Sequence, residues 1–322
     1  MKVLITGGAG FIGTNYAYYR FKNHPGDSVC VLDKLTYAGR KENLEPLMKE
    51  PRFKFYQTDL VDKNAVFDLF KKEKFDAVVN FAAESHVDRS IAEPSVFIMT
   101  NVVGTHNLLD ASLQFGVKRY HQISTDEVYG DLGDNSHDFF REDSPIKPSS
   151  PYSSSKAAAD LICLAYHRTY GLPITVSRCS NNYGPYQFPE KLIPYFFSLI
   201  SSDEKVPIYG DGRNIRDWIY VEDHCEATDI ILEKGISGEV YNVGGNCEKT
   251  NLEITKEILA YFGKGEDLIK FVEDRKGHDR RYAIDSGKML EAFGWKPKTN
   301  FKEGLKQTFQ WYKENPTFWK KS

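Results

Sequence analysis

Two acidic residues, Asp126 and Glu127, stand side by side in the segment STDEVYG, directly after the apolar run YHQI. The run predicts a buried strand, so both carboxylates would lie where that strand ends. In an open parallel sheet, the carboxyl ends of the strands border the ligand crevice. Burial of two carboxylates at that edge costs free energy, so their presence there indicates that they take part in chemistry. On an exposed loop the same pair would be ordinary. The flanking motifs distinguish a buried reactive pair from an exposed one.

A tyrosine and a lysine, Tyr152 and Lys156, stand four residues apart in the segment YSSSK, within a strong helix pattern. This spacing puts both side chains on one face of a helix. An ammonium group beside a phenol stabilises the phenolate and lowers the pKa of the tyrosine. Such a tyrosine can take the proton of a substrate hydroxyl while hydride leaves for a nicotinamide. Taken alone, the pair is more simply explained as part of a solvated helix face.

Three glycines, Gly7, Gly10 and Gly13, follow the first predicted strand in TGGAGFIG, and an acid, Asp33, ends the second. The spacing is typical of a turn that brings a pyrophosphate onto a helix amino terminus. A carboxylate at Asp33 would accept from the ribose hydroxyls and repel a 2′-phosphate, which favours NAD over NADP. Lys34 weakens that preference slightly, and Asp59 could meet the adenine. A purely structural glycine turn is the alternative.

The elements that must position these residues alternate between short apolar strands and helix patterns. The strands are predicted at 2–6, 28–33, 52–59, 76–83, 119–125 and 173–178, with helices such as 64–74 and 150–171 between or after them. Nearly continuous apolar strands in β-α-β order predict a Rossmann-type, doubly wound parallel sheet. We expect residues 1–185, with 216–245 returning to them, to form the dinucleotide domain. Residues 186–215 and 246–322 would form a smaller, mostly helical lobe.

Composition narrows the classes of partner. The chain has 322 residues, 41% hydrophobic and 27% charged, with a net charge of −3, which favours neither nucleic acid nor a membrane surface as a partner. Five scattered cysteines without a C-x-x-C pair predict a reducing compartment and no metal site. The first strand pattern begins at Lys2, which leaves no room for a signal peptide, so we expect a cytoplasmic protein.

The motifs together resemble a known family. TGGAGFIG with YSSSK is similar to the extended short-chain dehydrogenase/reductase superfamily, whose members act on nucleotide sugars. More narrowly, the chain resembles the dTDP-glucose 4,6-dehydratase family in DKLTYAG, FAAESHVDRS, STDEVYG, PYSSSKAAAD, RCSNNYGPYQFPEKLIP, IRDWIYVEDH and GHDRRYAID. The resemblance implies bound NAD, a nucleotide-diphosphate sugar as substrate, and elimination of water after transient oxidation at the sugar C4.

The resemblance also implies a role for each reactive residue. Thr125 would hydrogen-bond the C4 oxygen, Tyr152 would abstract its proton, and Lys156 would hold the nicotinamide ribose and tune Tyr152. Asp126 would be the acid toward the C6 oxygen, and Glu127 the base at C5. Epimerases of the superfamily carry small residues where this chain has Thr125, Asp126 and Glu127, which argues for dehydration.

Further binding residues are implied in the same way. The cofactor would be bound by Gly7, Gly10, Phe11, Ile12, Gly13, Asp33, Lys34, Leu35, Thr36, Asp59, Leu60, Ala82, Ala83, Glu84, Ser85, Thr100, Tyr152, Lys156 and Asn182. The substrate would be bound by Ser85, His86, Thr125, Asn181, Glu190, Lys191, Leu192, Pro207, Ile208, Tyr209, Arg216, Asn251, Asp274, Arg275 and His278. Lys276 stands where the family usually has proline, which would loosen that loop.

Several alternatives stay open. One is a UDP-glucose 4,6-dehydratase, because thymine and uracil differ by one methyl group. Binding of one methyl group in an apolar pocket contributes only ~1–3 kcal/mol of selectivity. A nucleotide-sugar epimerase or decarboxylase and a catalytically silent NAD-binding protein are further alternatives. The helical segments 100–116 and 150–171 carry apolar faces away from their site residues, and relatives pair such helices in a four-helix bundle. We therefore expect a homodimer, with packing inside the monomer as the alternative.

Overall fold

A computed structural model describes residues 1–133 and 137–319 of the chain. Its strands are β1 (Lys2–Thr6), β2 (Ser28–Asp33), β3 (Phe53–Gln57), β4 (Ala77–Asn80), β5 (Arg119–Thr125), β6 (Ile174–Cys179), β7 (Asn181–Tyr183), β8 (Val206–Tyr209), β9 (Ile215–Tyr220), β10 (Val240–Val243), β11 (Glu248–Thr250) and β12 (Ile269–Val272).

The α-helices lie between and after these strands. They are α1 (Phe11–Asn23), α2 (Glu45–Met48), α3 (Lys63–Glu73), α4 (Val87–Ala92), α5 (Pro94–Phe97), α6 (Thr105–Gln114), α7 (Pro151–Tyr170), α8 (Leu192–Ser201), α9 (Val221–Lys234), α10 (Asn251–Phe262), α11 (Gly287–Phe293), α12 (Phe301–Glu314) and α13 (Pro316–Trp319). Short 3₁₀ turns cover Lys41–Leu44, Asp126–Tyr129 and Glu266–Leu268, and a π-helical segment, Ile98–Gly104, leads into α6.

The main sheet is parallel and has the strand order β10-β6-β5-β4-β1-β2-β3. The chain order reverses between β1 and β4, so a crevice opens there at the carboxyl ends of the strands. Leu4 packs into the core on one face of the sheet, and Val3 and Ile5 pack into the core on the other. The predicted doubly wound Rossmann sheet is confirmed.

The strand bounds agree with the predictions for β1, β2 and β5 and differ most for β4. This strand ends at Asn80, whereas the sequence pattern predicted 76–83. The Phe81 amide still donates to the Thr6 carbonyl at 3.2 Å, and the chain then leaves the sheet. Ala82 and Ala83 are apolar because they border the crevice, and an apolar run does not distinguish that position from a strand.

A second cluster of elements closes over the sheet edge. It contains the sheets β11-β9-β7 and β12-β8 with α8, α10 and α12. Its core is aromatic, and Phe197 lies about 5 Å, ring centre to ring centre, from Phe309, Tyr312 and Trp319. The boundaries of the two domains stay a prediction. No helix within 1–133 or 137–319 is long and apolar enough to cross a membrane.

Candidate active site

A cavity of about 360 Å³ lies at the carboxyl ends of the parallel strands. The predicted residues that line it are Gly7, Gly10, Phe11, Ile12, Gly13, Asp33, Lys34, Thr36, Asp59, Leu60, Ala82, Ala83, Glu84, Ser85, Thr100, Thr125, Asp126, Glu127, Tyr152, Lys156, Asn181, Asn182, Glu190, Lys191 and Leu192. The glycine turn, both acids and the tyrosine–lysine pair therefore share one space.

The other predicted residues lie outside the lining of this cavity. They are Leu35, His86, Pro207, Ile208, Tyr209, Arg216, Asn251, Asp274, Arg275 and His278. Leu35 packs against the core between the sheet and α1. Pro207, Ile208 and Tyr209 form β8 in the second cluster, and Asn251 begins α10. The His278 Nδ1 lies 2.6 Å from the Asp274 carboxylate.

The glycine turn joins β1 to α1 in a shape that side chains would block. Gly7 has a φ of +65°, and a Cβ there would lie 2.7 Å from the Ala82 amide nitrogen. A Cβ on Gly13 would lie 2.3 Å from the Gly7 carbonyl oxygen. The amino end of α1 carries no acid in its first turn and no side-chain cap. Its free amide groups and dipole therefore fit the pyrophosphate of a dinucleotide.

Asp33 lies at the end of β2 beside this turn. Its carboxylate accepts from the Leu35 amide at 2.8 Å and from the Ala9 amide at 3.0 Å. These bonds fix the carboxylate at the cavity wall, where it can accept from ribose hydroxyls. The Lys34 ammonium pairs with Asp59 at 2.6 Å, so its charge is partly satisfied within the protein. Because Lys34 is paired with Asp59, it is not a free cation that could bind a 2′-phosphate.

The tyrosine and the lysine are placed by the start of α7. The Ser150 hydroxyl accepts from the Ser153 amide at 3.1 Å, and the Ser153 hydroxyl accepts from the Ser150 amide at 3.0 Å. This reciprocal capping fixes the first turn, which carries Tyr152. One turn later, the Lys156 ammonium donates to the Ile123 carbonyl at 2.6 Å.

Burial opposes ionisation of both members of this pair. It raises the pKa of Tyr152 well above the usual value, and the nearby acids, led by Glu127, raise it further. Burial also lowers the pKa of Lys156. A Tyr152 phenolate therefore needs positive charge close by, which Lys156 and a cationic nicotinamide ring would supply.

The acid pair occupies the 3₁₀ turn that follows β5. Thr125 caps the turn: its hydroxyl accepts from the Glu127 amide and donates to the Asp126 Oδ1, both at 3.3 Å. Asp126 is 1% exposed. Its Oδ2 has no hydrogen-bond partner in the described part of the chain. A buried, unpaired carboxyl oxygen is costly, and a ligand hydroxyl in the cavity would satisfy it.

The two acids have different electrostatic surroundings. Burial raises the pKa of Asp126 well above its usual range, and the charges of Glu127 and Asp217 add to the effect. Burial also raises the pKa of Glu127, but Arg275, Arg216 and Lys191 oppose the rise. These surroundings favour protonation of Asp126 over protonation of Glu127.

Three cations that affect Glu127 come from separate elements. The Lys191 ammonium donates to the Ser85 carbonyl at 2.7 Å. Arg216, on β9, is 5% exposed and lies 4.2 Å from the centre of the Tyr282 ring. Arg275 approaches Asp88 at 3.8 Å. Three cations that act on a residue of the cavity wall would suit a ligand with a diphosphate.

Sequence reasoning missed part of the cavity wall. The missed residues are Leu32, Ala38, Gly39, Thr58, Phe81, Ile123, Ser124, Cys179, Ser180, Gln187, Phe188 and Trp218. Many of them end a parallel strand or directly follow one. Listing every strand end of the predicted sheet would have found these, because such ends meet at one edge. Gln187, Phe188 and Trp218 approach through tertiary packing, which no local pattern indicates.

Among the described residues, no group of three or more histidine, cysteine or acidic side chains could hold a metal ion.

Comparison with known proteins gives consistent matches over almost the whole chain. The family model described as GDP-mannose 4,6 dehydratase matches residues 4–308. The dTDP-glucose 4,6-dehydratase of Neisseria meningitidis is 48% identical over 338 residues, which cover 99% of this chain and 95% of the relative. The low-salt glycan biosynthesis protein Agl12 of Haloferax volcanii is 50% identical, over 97% of this chain and 98% of the relative.

A solved structure has the same architecture. DesIV of Streptomyces venezuelae, described as a dTDP-glucose 4,6-dehydratase with NAD bound, superposes with a TM-score of 0.96. It is 46% identical, and the match covers 99% of both chains.

Proposed function

Since the chain belongs to the dTDP-glucose 4,6-dehydratase family, as its motifs predicted, we propose that it converts dTDP-glucose into dTDP-4-keto-6-deoxyglucose and water. The observation that carries this proposal is the acid pair in the cavity. Asp126 and Glu127 are consecutive residues, yet their surroundings favour a protonated acid and an ionised base. Elimination of water from a ketone needs one of each.

NAD is the cofactor, and when bound it accepts hydride from the sugar C4 and returns hydride to C6. The glycine turn and the amino end of α1 would hold its pyrophosphate, and Asp33 its adenosine ribose. Tyr152 and Lys156 would face the nicotinamide end, where the cavity also meets Asn182.

The first chemical task of the chain is removal of the C4 hydroxyl proton. Tyr152 takes this proton as its phenolate, and the Thr125 hydroxyl holds the C4 oxygen. The Lys156 ammonium stabilises the phenolate, and its bond to the Ile123 carbonyl fixes it one helical turn from Tyr152. The C4 carbon becomes a ketone, which acidifies the proton on C5.

The second task is loss of water across C5 and C6. Glu127 takes the C5 proton, and Asp126 donates its proton to the departing C6 oxygen, so that one water leaves and a C5–C6 double bond forms. Glu127 returns a proton to C5 once C6 has been reduced. The product therefore differs from the substrate by one water. Glu127 is already regenerated at this point, and the cycle closes when Tyr152 releases the proton that it took from the C4 hydroxyl and Asp126 takes up one proton, so that no net proton is gained or lost.

Substrate recognition is proposed to use the second cluster of elements. Arg216, Arg275, Lys191 and His278 would meet the diphosphate, and Pro207, Ile208, Tyr209 and Asn251 the nucleoside. Ser85, His86, Asn181, Glu190, Leu192 and Asp274 would complete the site. The approach of Lys191 to the Ser85 carbonyl supports this, because it brings a cation of the second cluster to the sugar end of the cavity.

A homodimer is also proposed, formed through what we call the α6–α7 surface: Ile98, Met99, Leu113 and Leu161. These side chains are 37–54% exposed although they are large and apolar. They lie on packed helices whose inner faces carry Thr100, Tyr152 and Lys156 to the cavity. Large exposed apolar side chains on neighbouring packed helices are typical of a protein interface.

The proposal extends to a cytoplasmic enzyme of deoxysugar biosynthesis, for example of rhamnose. All five cysteines are free thiols, and four of them are buried, which suits a reducing compartment.

The test is incubation of the purified protein with dTDP-glucose, UDP-glucose or GDP-mannose, followed by mass spectrometry of the products. We expect loss of one water from dTDP-glucose, without accumulation of reduced nicotinamide. An unchanged mass with an inverted stereocentre would instead identify an epimerase. Retained NAD without turnover of any of the three sugars would contradict an enzymatic role. Faster turnover of UDP-glucose than of dTDP-glucose would correct the substrate.

A further inference from the structure

A fully buried ion pair lies on the same face of α7 as the reactive tyrosine and lysine. The Arg178 Nε donates to the Asp160 Oδ2 at 3.1 Å, and the two side chains are 2% and 0% exposed. Asp160 follows Lys156 by four residues, as Lys156 follows Tyr152, so the three side chains line one face of the helix. The proposed mechanism uses the tyrosine and the lysine but gives the aspartate no part.

The same arginine also contacts the turn that carries the acid pair. Its Nη1 donates to the Tyr129 hydroxyl at 3.0 Å, and that hydroxyl donates to the Asn242 Oδ1 at 2.7 Å. Tyr129 is the last residue of the 3₁₀ turn that begins at Asp126. The ion pair therefore connects α7 with the 3₁₀ turn that carries Asp126 and Glu127, through side chains that do not line the cavity.

A buried ion pair contributes little to stability, because desolvation of both charges offsets their attraction. What this pair does provide is a negative charge one helical turn from a buried ammonium group. The groups that act on the Lys156 ammonium through their charge are Asp160 and Cys163 on α7 and Cys179 on β6. Burial raises the pKa of both thiols, that of Cys179 to about 12, so they are neutral at pH 7. Asp160 is then the charged group among these three.

Two cations near Asp160 favour its ionised form. Arg178 pairs with it from β6, and Lys156 acts on it from its own helix. Burial raises the pKa of Asp160, and the arginine, which retains its charge throughout the accessible pH range, opposes that rise.

We propose that Asp160, held by Arg178, is a positioning residue that keeps Lys156 protonated and aligned with Tyr152 during oxidation at C4. The inference rests on the proposed function, since the step it supports is the first step of that reaction. Asp160 acts through Lys156 and touches neither substrate nor cofactor.

The test is the pH profile of the oxidation half-reaction in Asp160→Asn, measured as the single-turnover rate at which absorbance of reduced nicotinamide appears after dTDP-glucose is mixed with the NAD-loaded protein. The rate falls at high pH when Lys156 loses its proton. Without the negative charge of Asp160, Lys156 loses its proton at a lower pH. We therefore expect the midpoint of the decline in rate at high pH, the alkaline limb of the profile, to fall by about one pH unit or more. The affinity for NAD at pH 6.5 should stay within about twofold of the parent value, because Asp160 does not line the cavity.

Asp160→Asn leaves the Arg178 charge buried and unpaired, so this variant is expected to unfold more easily. The double variant Asp160→Asn/Arg178→Met removes both charges and separates the two explanations. If the pair has only a structural role, the double variant regains the parent pH profile together with its thermal stability. If Asp160 acts on Lys156, the double variant regains stability and keeps the displaced alkaline limb.

The two proposals fail in different ways. A parent protein that does not dehydrate dTDP-glucose would overturn the proposed function, and this inference with it. A parent that does so, with a double variant whose pH profile superposes on the parent profile, would overturn only the role of Asp160. Arg141→Met, which removes an exposed arginine from its ion pair with Asp285, is the control and should leave the profile unchanged.

Discussion

At the scale of single residues, we propose opposite tasks for two adjacent carboxylic acids because their surroundings differ. The charges of Glu127 and Asp217 raise the pKa of the buried Asp126 more than Arg216 lowers it, whereas Arg275, Arg216 and Lys191 oppose the rise in the pKa of Glu127. In the variant Glu127→Gln the amide cannot accept the C5 proton, so the reaction should stop after oxidation at C4. We expect turnover to fall by roughly 10²–10⁴-fold. Absorbance of reduced nicotinamide should rise to one equivalent per site and persist.

The matched control is Glu50→Gln, which makes the same change at an exposed acid between α2 and β3. It should turn over at the parent rate. Normal turnover by Glu127→Gln, or loss of turnover without any reduced nicotinamide, would show that the base at C5 is another group.

Sequence motifs located these residues at the cavity but did not show which distant charges surround Glu127. STDEVYG and YSSSK indicate which side chains reach the cavity. The positive charges that most oppose the rise in the pKa of Glu127 come from Arg216 on β9 and from Arg275 in the loop after β12, far along the chain. Their approach depends on how the second cluster packs over the sheet, and no local pattern records that packing.

At the scale of elements, the turn between β1 and α1 depends on backbone contacts that exclude a side chain. A Cβ on Gly13 would lie 2.3 Å from the Gly7 carbonyl oxygen and 2.8 Å from the Gly8 Cα. Gly13→Ala must therefore push the start of α1 away from β1 and distort the pyrophosphate site. We expect the affinity for NAD, measured by titration calorimetry, to fall at least tenfold, or about 1.4 kcal/mol.

Gly26→Ala is the matched control, because a Cβ at Gly26 has open space and its φ is not left-handed. It should bind NAD as the parent does. Equal affinities for the two variants would show that the glycine turn does not hold the cofactor.

Elements with one uniform environment could be predicted closely from sequence. The strands β1, β2 and β5 are buried on both faces, and their apolar runs gave correct bounds. The end of β4 could not be predicted in this way, since residues that border the cavity are as apolar as residues in the sheet. The helix predicted around 100–116 begins with a π-helical segment, Ile98–Gly104, which brings Thr100 to the cavity. Residue periodicity does not resolve such a change of helix type.

At the scale of the whole molecule, the α6–α7 surface is the feature that an isolated chain leaves unexplained. Leu161 is 54% exposed near the middle of α7, on the helix whose other face holds the catalytic tyrosine and lysine. If two chains meet there, the parent protein should sediment at twice 36.8 kDa. Leu161→Arg would place a charge at the centre of that contact and should shift the protein to the monomer at micromolar concentration.

Loss of the dimer should also lower activity, because the same helices place Tyr152 and Lys156. Met48→Arg provides the comparison: it puts the same charge at an apolar residue that is 38% exposed, on α2, which packs on the face of the main sheet opposite α6 and α7. That variant should remain a dimer with parent activity. A parent that sediments as a single chain would remove the proposed interface. A dimer that persists in Leu161→Arg and dissociates in Met48→Arg would place the interface on the opposite face of the main sheet.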